Sequence, residues 1–229
     1  MLIPVGSLVN AGAIMAGGTL GLFLGRRLTS GLQSIAFHGL GLCLAIIALQ
    51  MALQMARPLQ LLFSILLGGI LGELCELDRL FNLGGDKLKR ALRSGDSRFT
   101  EGFVSATTLF GIGSMVILGP LDEGLTGDHT ILFTKSVLDF CFAIALSAAF
   151  GAGVIFSAFP ILLAEGLITL MAGSLQSMLT APVILDIKVT GGVIILAIAL
   201  NILELARIKL ANLLPALPAA AFLAHWTAG

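Results

Sequence analysis

Lys135 and Asp139 stand four residues apart within an apolar run, a spacing that puts both side chains on one face of a helix. A charge near the centre of a bilayer costs at least about 2.5–3.5 kcal/mol even on the mildest insertion scales, so few positions carry one without a role. Counted inward from Ile131, Asp139 lies about 12 Å from the outer boundary, and Glu165, eight residues into the next run, lies about 12 Å from the inner one. The two carboxylates therefore approach the midplane from opposite sides on consecutive helices. Burial and a neighbouring ammonium act on a carboxylate's proton affinity in opposite directions, and a group held between them can exchange protons during transport. The plainer alternative is a Lys135–Asp139 pair that satisfies itself, with Glu165 protonated and hydrogen-bonded to a neighbouring helix. Lys135 can also snorkel outward.

A second acidic group, Asp122, Glu123 and Asp128, falls in Gly119–Asp128, between two apolar runs. It reads as an outer mouth that attracts cations, as a re-entrant turn, or as a solvated acidic turn; its spacing excludes an EF-hand. Asn10 and Asn201 lie inside apolar runs, where an amide lines a cavity or, more commonly, bonds one helix to another. Glu73, Glu76 and Glu204 sit close to basic residues at the inner interface. His38 has no second ligand at metal spacing. Cys43, Cys75 and Cys141 are scattered without a C-x-x-C and read as packing residues. No Ser/His, H-E-x-x-H or paired-Asp arrangement has catalytic spacing inside a run, so an intramembrane enzyme ranks last, and no cofactor or metal is implied.

The elements that position these residues follow from composition. Of 229 residues, 57% are apolar and 11% charged, whereas a soluble domain carries about 25% charge. That is too little charge for a water-facing surface, so the chain reads as an all-α, polytopic helix bundle forming one membrane domain over residues 1–229. A span needs about 20 apolar residues, and eight segments qualify: 3–24, 33–53, 58–76, 103–120, 131–152, 157–178, 189–206 and 208–226. The fifth and sixth run nearly together and the eighth carries Pro215 and Pro218, so seven is the smaller count. No basic residue precedes the first run, which argues against a cleaved signal peptide.

Basic residues mark the cytoplasmic side of a membrane protein. Arg26, Arg27, Arg79, Lys87, Lys89, Arg90, Arg93, Arg98, Arg207 and Lys209 all fall on one side if the helices alternate; Arg57, Lys135 and Lys188 fall on the other. Both termini are then outside, and loop 77–102 is cytoplasmic. Within that loop Leu77, Leu80, Phe81, Leu88, Ala91 and Leu92 recur at helical spacing against basic positions, as in a helix lying on the inner leaflet. An ordinary topogenic loop has the same content. Thirteen basic residues balance thirteen acidic ones, so charge points to no nucleic-acid partner.

The 28 glycines let helices approach closely. Gly17-Gly18-Thr19-Leu20-Gly21 resembles Gly68-Gly69-Ile70-Leu71-Gly72, and His38-Gly39-Leu40-Gly41 can be set against Phe110-Gly111-Ile112-Gly113, the mark of a tandem parallel hairpin duplication. Gly111-Ile112-Gly113, Gly151-Ala152-Gly153 with Phe159-Pro160, and Thr190-Gly191-Gly192 are the expected helix breaks, where transporters build sites from exposed backbone.

Asp122-Glu123-Gly124-Leu125-Thr126-Gly127-Asp128, Lys135-Ser136-Val137-Leu138-Asp139, Gly151-Ala152-Gly153-Val154 and Ser157-Ala158-Phe159-Pro160 together resemble the signature of the YqgA/YdfK-like family of small bacterial inner-membrane proteins. Thr190-Gly191-Gly192 and Asn212-Leu213-Leu214-Pro215-Ala216 extend the resemblance over nearly the whole chain. It implies a transport role without a substrate, and it implies Gln in many members where Glu165 stands here. The leading expectation is an inner-membrane transporter or channel for a small solute or ion. Lys135, Asp139 and Glu165 would compensate charge at the midplane, Asp122, Glu123 and Asp128 would form the mouth, and Asn201 would line the path. Its partners are the lipid bilayer, the solute and a second copy of the chain. The alternative is a scaffold or sensor that acts through loop 77–102.

Overall fold

Inside hydrocarbon a backbone must satisfy its own hydrogen bonds, which a helix does within one segment. The computed structural model describes residues 4–25, 30–92, 94–95, 97–112, 115–176 and 178–228, and among them it is all-helical with no strand. The helices are α1 (Val5–Gly25), α2 (Ser30–Ala52), α3 (Pro58–Leu74), α4 (Leu77–Ala91), α5 (Phe99–Phe110), α6 (Met115–Thr126), α7 (Thr130–Phe150), α8 (Gly153–Phe156), α9 (Ala158–Leu170), α10 (Ala172–Leu175), α11 (Ala181–Ile202) and α12 (Ala216–Ala228). Four stretches are long and apolar enough to cross a membrane: α1, α7, the run Gly153–Leu170, and α11. The number rises to six if each of two bent pairs is one span, α3 with α4 at 56° and α5 with α6 at 59°. The apolar stretch His38–Ala52 of α2 is shorter, as is α12 with 13 residues, so among the described residues helix length alone provides fewer than eight spans.

The chain divides into two compact units, a finer division than the one domain read from composition. The first comprises Met1–Phe37, Asn82–Gly111 and Met115–Leu175; the second comprises His38–Phe81, Ile112–Ser114 and Gln176–Gly229. In the first unit α1 lies along α7 in the same direction. Gly17, Gly21 and Gly25 present no side chain where the backbone carbonyls of Phe140, Ile144 and Ala148 approach, so the two backbones touch directly. The α7 face in this seam carries Leu132, Lys135, Ser136, Asp139, Ala143 and Leu146, all buried. The stripe that packs is thus the stripe that holds the charges.

In the second unit α3 meets the C-terminal segment through Gly68 and Gly72, against Ala216 and the backbone of Asn212, with the two chains antiparallel. Gly192 of α11 receives Ala48, Met51 and Ala52 of α2. The first half of the expected duplication therefore has a common use: both glycine runs seat a neighbouring backbone. Their partners nevertheless run in opposite senses, parallel for α1 and antiparallel for α3. In the second half Gly41 meets Leu203, Gly39 meets nothing, and Gly113 lies outside the described residues, as do Arg26, Arg27 and Arg93.

Three sequence expectations change. Thr190-Gly191-Gly192 is no break: α11 runs through it, because Gly192 is needed for close packing. Asp122 and Glu123 belong to a helix, since α6 continues through Pro120 to Thr126. Pro120 is interior to α6, where its missing N–H forfeits the bond to Val116 and its ring crowds that carbonyl, so the helix carries this cost to keep Glu123 on a rigid element. Cys43, Cys75 and Cys141 are free and exposed rather than packed inside. The break after α7 is present: Gly151 has φ 80° and ψ −153°, a conformation nearly restricted to glycine, which turns the chain into α8. Helix α5 also ends at Gly111, its C-cap.

Candidate functional site

Four polar side chains from three helices of the first unit converge inside it. Asn10 of α1 is fully buried, as is Glu165 of α9; Lys135 and Asp139 of α7 are 4% and 6% exposed. The Lys135 ammonium pairs with Asp139 Oδ2 and lies 3.2 Å from Glu165 Oε1. Asn10 Nδ2 donates to Asp139 Oδ2 at 3.0 Å and to Glu165 Oε1 and Oε2 at 3.0 and 3.2 Å. One ammonium and one amide thus bind two carboxylates together. The parallel course of α1 and α7 sets Asn10 beside Asp139. The antiparallel course of α8 and α9 brings Glu165 to the same level, with Ile155 of α8 against Gly18 and Glu165 of α9 against Asn10.

One turn from this cluster on α1 lies a second one. Glu123, expected at a solvated mouth, is 1% exposed. Its Oε1 accepts from the Gly6 backbone N–H at 2.6 Å, and its Oε2 accepts from the Thr169 and Ser7 hydroxyls at 3.1 and 3.5 Å. His129 Nδ1 lies 2.8 Å from Oε1, an ion pair when the ring is protonated. The first turn of a helix has backbone N–H groups without intrahelical partners, and Glu123 satisfies that of Gly6. It therefore caps the start of α1 from a buried position. Thr169 joins the two clusters structurally, since its hydroxyl also reaches the backbone carbonyl of Glu165 at 3.1 Å.

The other expected site residues are engaged locally. Asp122 accepts from Thr126 Oγ1 at 3.1 Å, one turn away on α6. Asp128 is exposed and accepts from the backbone N–H and hydroxyl of Thr130 at 2.9 and 2.6 Å. These bonds hold the Asp128 carboxyl below its ordinary range. Asn201 does not line the cluster. It lies in the second unit, where its amide bonds both ways to the backbone of Ile208, at 2.8 and 2.9 Å, and folds the chain back after α11. Glu73 meets Lys209 and Asn212 at 2.5 and 2.6 Å, as its interfacial position implied.

Two charged features escaped the sequence reading. His129 gave no signal beyond its place between two apolar runs. Asp186, buried in α11, pairs with Arg57 at 3.0 Å beside a shallow recess with Ser64 and Thr190 in its wall. Its run was read as starting at residue 189, because Asp186 and Lys188 depress local hydropathy. Among the described residues no three His, Cys, Asp or Glu side chains gather as a metal site.

The chain matches, over residues 5–225, the family described as "Protein of unknown function (DUF554)". It is 32% identical over 227 residues to "Uncharacterized membrane protein YdfK" of Bacillus subtilis, covering 96% of each chain. It is 30% identical over 230 residues to "Uncharacterized protein YqgA" of Escherichia coli, covering 98% of each. No solved structure matches. Apolar helices and a relative named as a membrane protein agree on a membrane location, and with the match running through every residue of the buried cluster, the chain belongs to the DUF554 family.

Proposed function

We propose that the chain is a multi-pass inner-membrane transporter or channel for a small solute or ion, with Lys135, Asp139, Glu165 and Asn10 as its charge-handling centre. The observation that carries the reading is the convergence of three charges and an amide from three helices inside an apolar unit. Ionisable groups at such depth mark ion and solute pathways. A device meant only to hold helices together gains more from glycine seams, and α1 and α7 already have one.

The proposed topology has eight crossings, with both termini outside and loop 77–102 in the cytoplasm. Helix directions within each unit support it. In the first unit α1 and α7 are parallel and α9 opposes both; in the second α3 opposes the C-terminal segment and α11 opposes α2. Strict alternation of eight segments requires each of these senses.

Cysteine accessibility tests the reading. In a background lacking Cys43, Cys75 and Cys141, single cysteines at positions 135, 136, 139 and 165 are exposed to a membrane-impermeant thiol reagent from each side. Transport predicts labelling at 139 or 165 from at least one side. Protection of all four from both sides overturns it.

A second reading, a scaffold or sensor acting through the cytoplasmic loop, is favoured by α4. That helix carries Lys87, Lys89 and Arg90 beside an apolar stripe in which Leu80 and Leu83 are exposed. Such a face suits anionic headgroups. Replacing the three basic residues by Gln separates the readings: a scaffold loses membrane-partner recruitment, whereas a transporter keeps solute flux.

A further inference from the structure

The cluster's charges do not cancel. One ammonium faces two carboxylates inside a unit where both carboxylates are at most 6% exposed. With both acids ionised the group carries one uncompensated negative charge, an arrangement that low-dielectric surroundings disfavour strongly. The remaining charges of the packed elements do not remove it. α1 contributes only the neutral Asn10; the nearest ionisable groups of α6 and the α6–α7 connection are Glu123, which accepts from the start of α1, and His129, whose Nδ1 lies 2.8 Å from Glu123 Oε1.

Asn10 supplies the second observation. Its Nδ2 is fully used by the two carboxylates, but its Oδ1, on the same amide carbon, is buried without a hydrogen-bond partner. A buried acceptor left unpaired costs about 1–3 kcal/mol. An excess negative charge beside an unpartnered hard oxygen fits a small cation. It excludes an anion as the ligand of this site. A divalent metal is also a poor fit, since calcium takes about 6–8 oxygens and Lys135 already claims one carboxylate.

We infer that the two carboxylates, with Asn10 Oδ1, bind one exchangeable monovalent cation, proton or alkali ion in turn, while Lys135 is the fixed counter-cation. This rests on the transport reading and names its substrate class. The exchange is balanced: the carboxylic acid gives up its proton as the alkali ion takes its place on the carboxylate, with no redox partner. Asp139 and Glu165 would bind the ion, and Lys135 would prevent a second ion from entering.

The full-length protein in detergent micelles, nearly unbuffered and with a pH-sensitive dye, tests this directly. Lithium, sodium and potassium chloride are added in turn at several pH values from about 5 to about 9, against choline chloride as control. At least one alkali salt is expected to release protons saturably, up to a single proton per chain. Glu165→Gln, which keeps the Lys135–Asp139 pair and its hydrogen-bonding amide, is expected to abolish the release while remaining folded. Asp139→Asn is expected to do the same. Release that survives both variants overturns the inference, and so does no release beyond choline from folded wild-type protein at any pH. Thiol labelling at 139 or 165 without ion-driven release overturns the cation class and leaves transport standing; no labelling from either side overturns both.

Discussion

Removing the ammonium and removing the surplus carboxylate should have very unequal consequences. Lys135→Met leaves Asp139 and Glu165 facing each other with only the Asn10 amide between them. The lost Lys135–Glu165 attraction at 3.2 Å is worth about 5 kcal/mol at an effective dielectric of about 20. The Asp139 contact is closer still. Desolvation offsets part of this in the intact protein, but the penalty for leaving a buried charge without its partner is about 3–5 kcal/mol. Glu165→Gln instead leaves the Lys135–Asp139 pair, which is neutral without a bound cation. Its amide oxygen can still accept from Asn10, so the net change should stay within about 1 kcal/mol. The assay is reversible unfolding of purified protein in mixed micelles of a mild detergent and SDS, followed by helical signal, for wild type, both single variants and the double variant. Lys135→Met should cost several times more than Glu165→Gln. The double variant should recover part of the loss, because removing one of the two stranded carboxylates relieves their repulsion. Equal costs for the two single variants, or Glu165→Gln as the worse, would refute the charge inventory.

Gly21→Val drives a side chain into the backbone carbonyl of Ile144; overpacking of about 1–3 kcal/mol or more should lower both unfolding midpoint and folded yield, whereas Gly12→Val, at a position open to its surroundings, should do neither. Glu123→Ala strands the Gly6 N–H and takes the Glu123 acceptor from the Ser7 hydroxyl, at about 1–3 kcal/mol for each group left unsatisfied, whereas the Thr169 hydroxyl keeps the Glu165 carbonyl; Glu123→Gln should cost less in the same unfolding titration. Glu204 holds φ 57° after α11, and Glu204→Gly should raise the midpoint by relieving about 1 kcal/mol of left-handed backbone strain. Asp128 is held below the ordinary carboxyl value of 3.8 by Thr130. Its contribution to stability is therefore present above that value and lost as pH falls through the lowered folded one. Thermal unfolding of wild type and Asp128→Ala should differ at neutral pH and converge in strong acid.

What could be read from the sequence follows what hydrocarbon makes costly. A charge in an apolar run is conspicuous because lipid makes each one expensive, and for that reason Lys135, Asp139 and Glu165 stood out. Helical spacing placed the first two on one face. Glu165 could be set near the same depth, but not beside them, because a run's rotation about its own axis leaves no mark in its own residues. For α1 that rotation is fixed by Gly17, Gly21 and Gly25, whose missing side chains select the α7 face they touch. Asn10 lies on the same stripe of α1, seven residues before Gly17, so the glycine register that orders the seam also aims the amide. Glycine spacing within a span, read together with the polar residue one or two turns away, is therefore the signal that would have joined Asn10 to the cluster.

The acidic segment misled for the complementary reason. Gly, Pro and three acids within ten residues look like a loop, because in water those residues end helices. At the edge of a membrane unit the competing demand is the unpaired N–H groups at the start of a neighbouring helix. Glu123 meets that demand at the Gly6 N–H. To do so it must be held on a rigid element, and α6 carries it through Pro120 to the first turn of α1. Asp122 on the same helix and Asp128 just beyond it remain exposed or partly so and bond only their near neighbours. Composition treats the three acids as one cluster; the side chains separate them by what each can reach. The charge that mattered at this end was the one with a helix start within range, and the same rule, a polar side chain going where a partner is stranded, places Asn10 between Asp139 and Glu165.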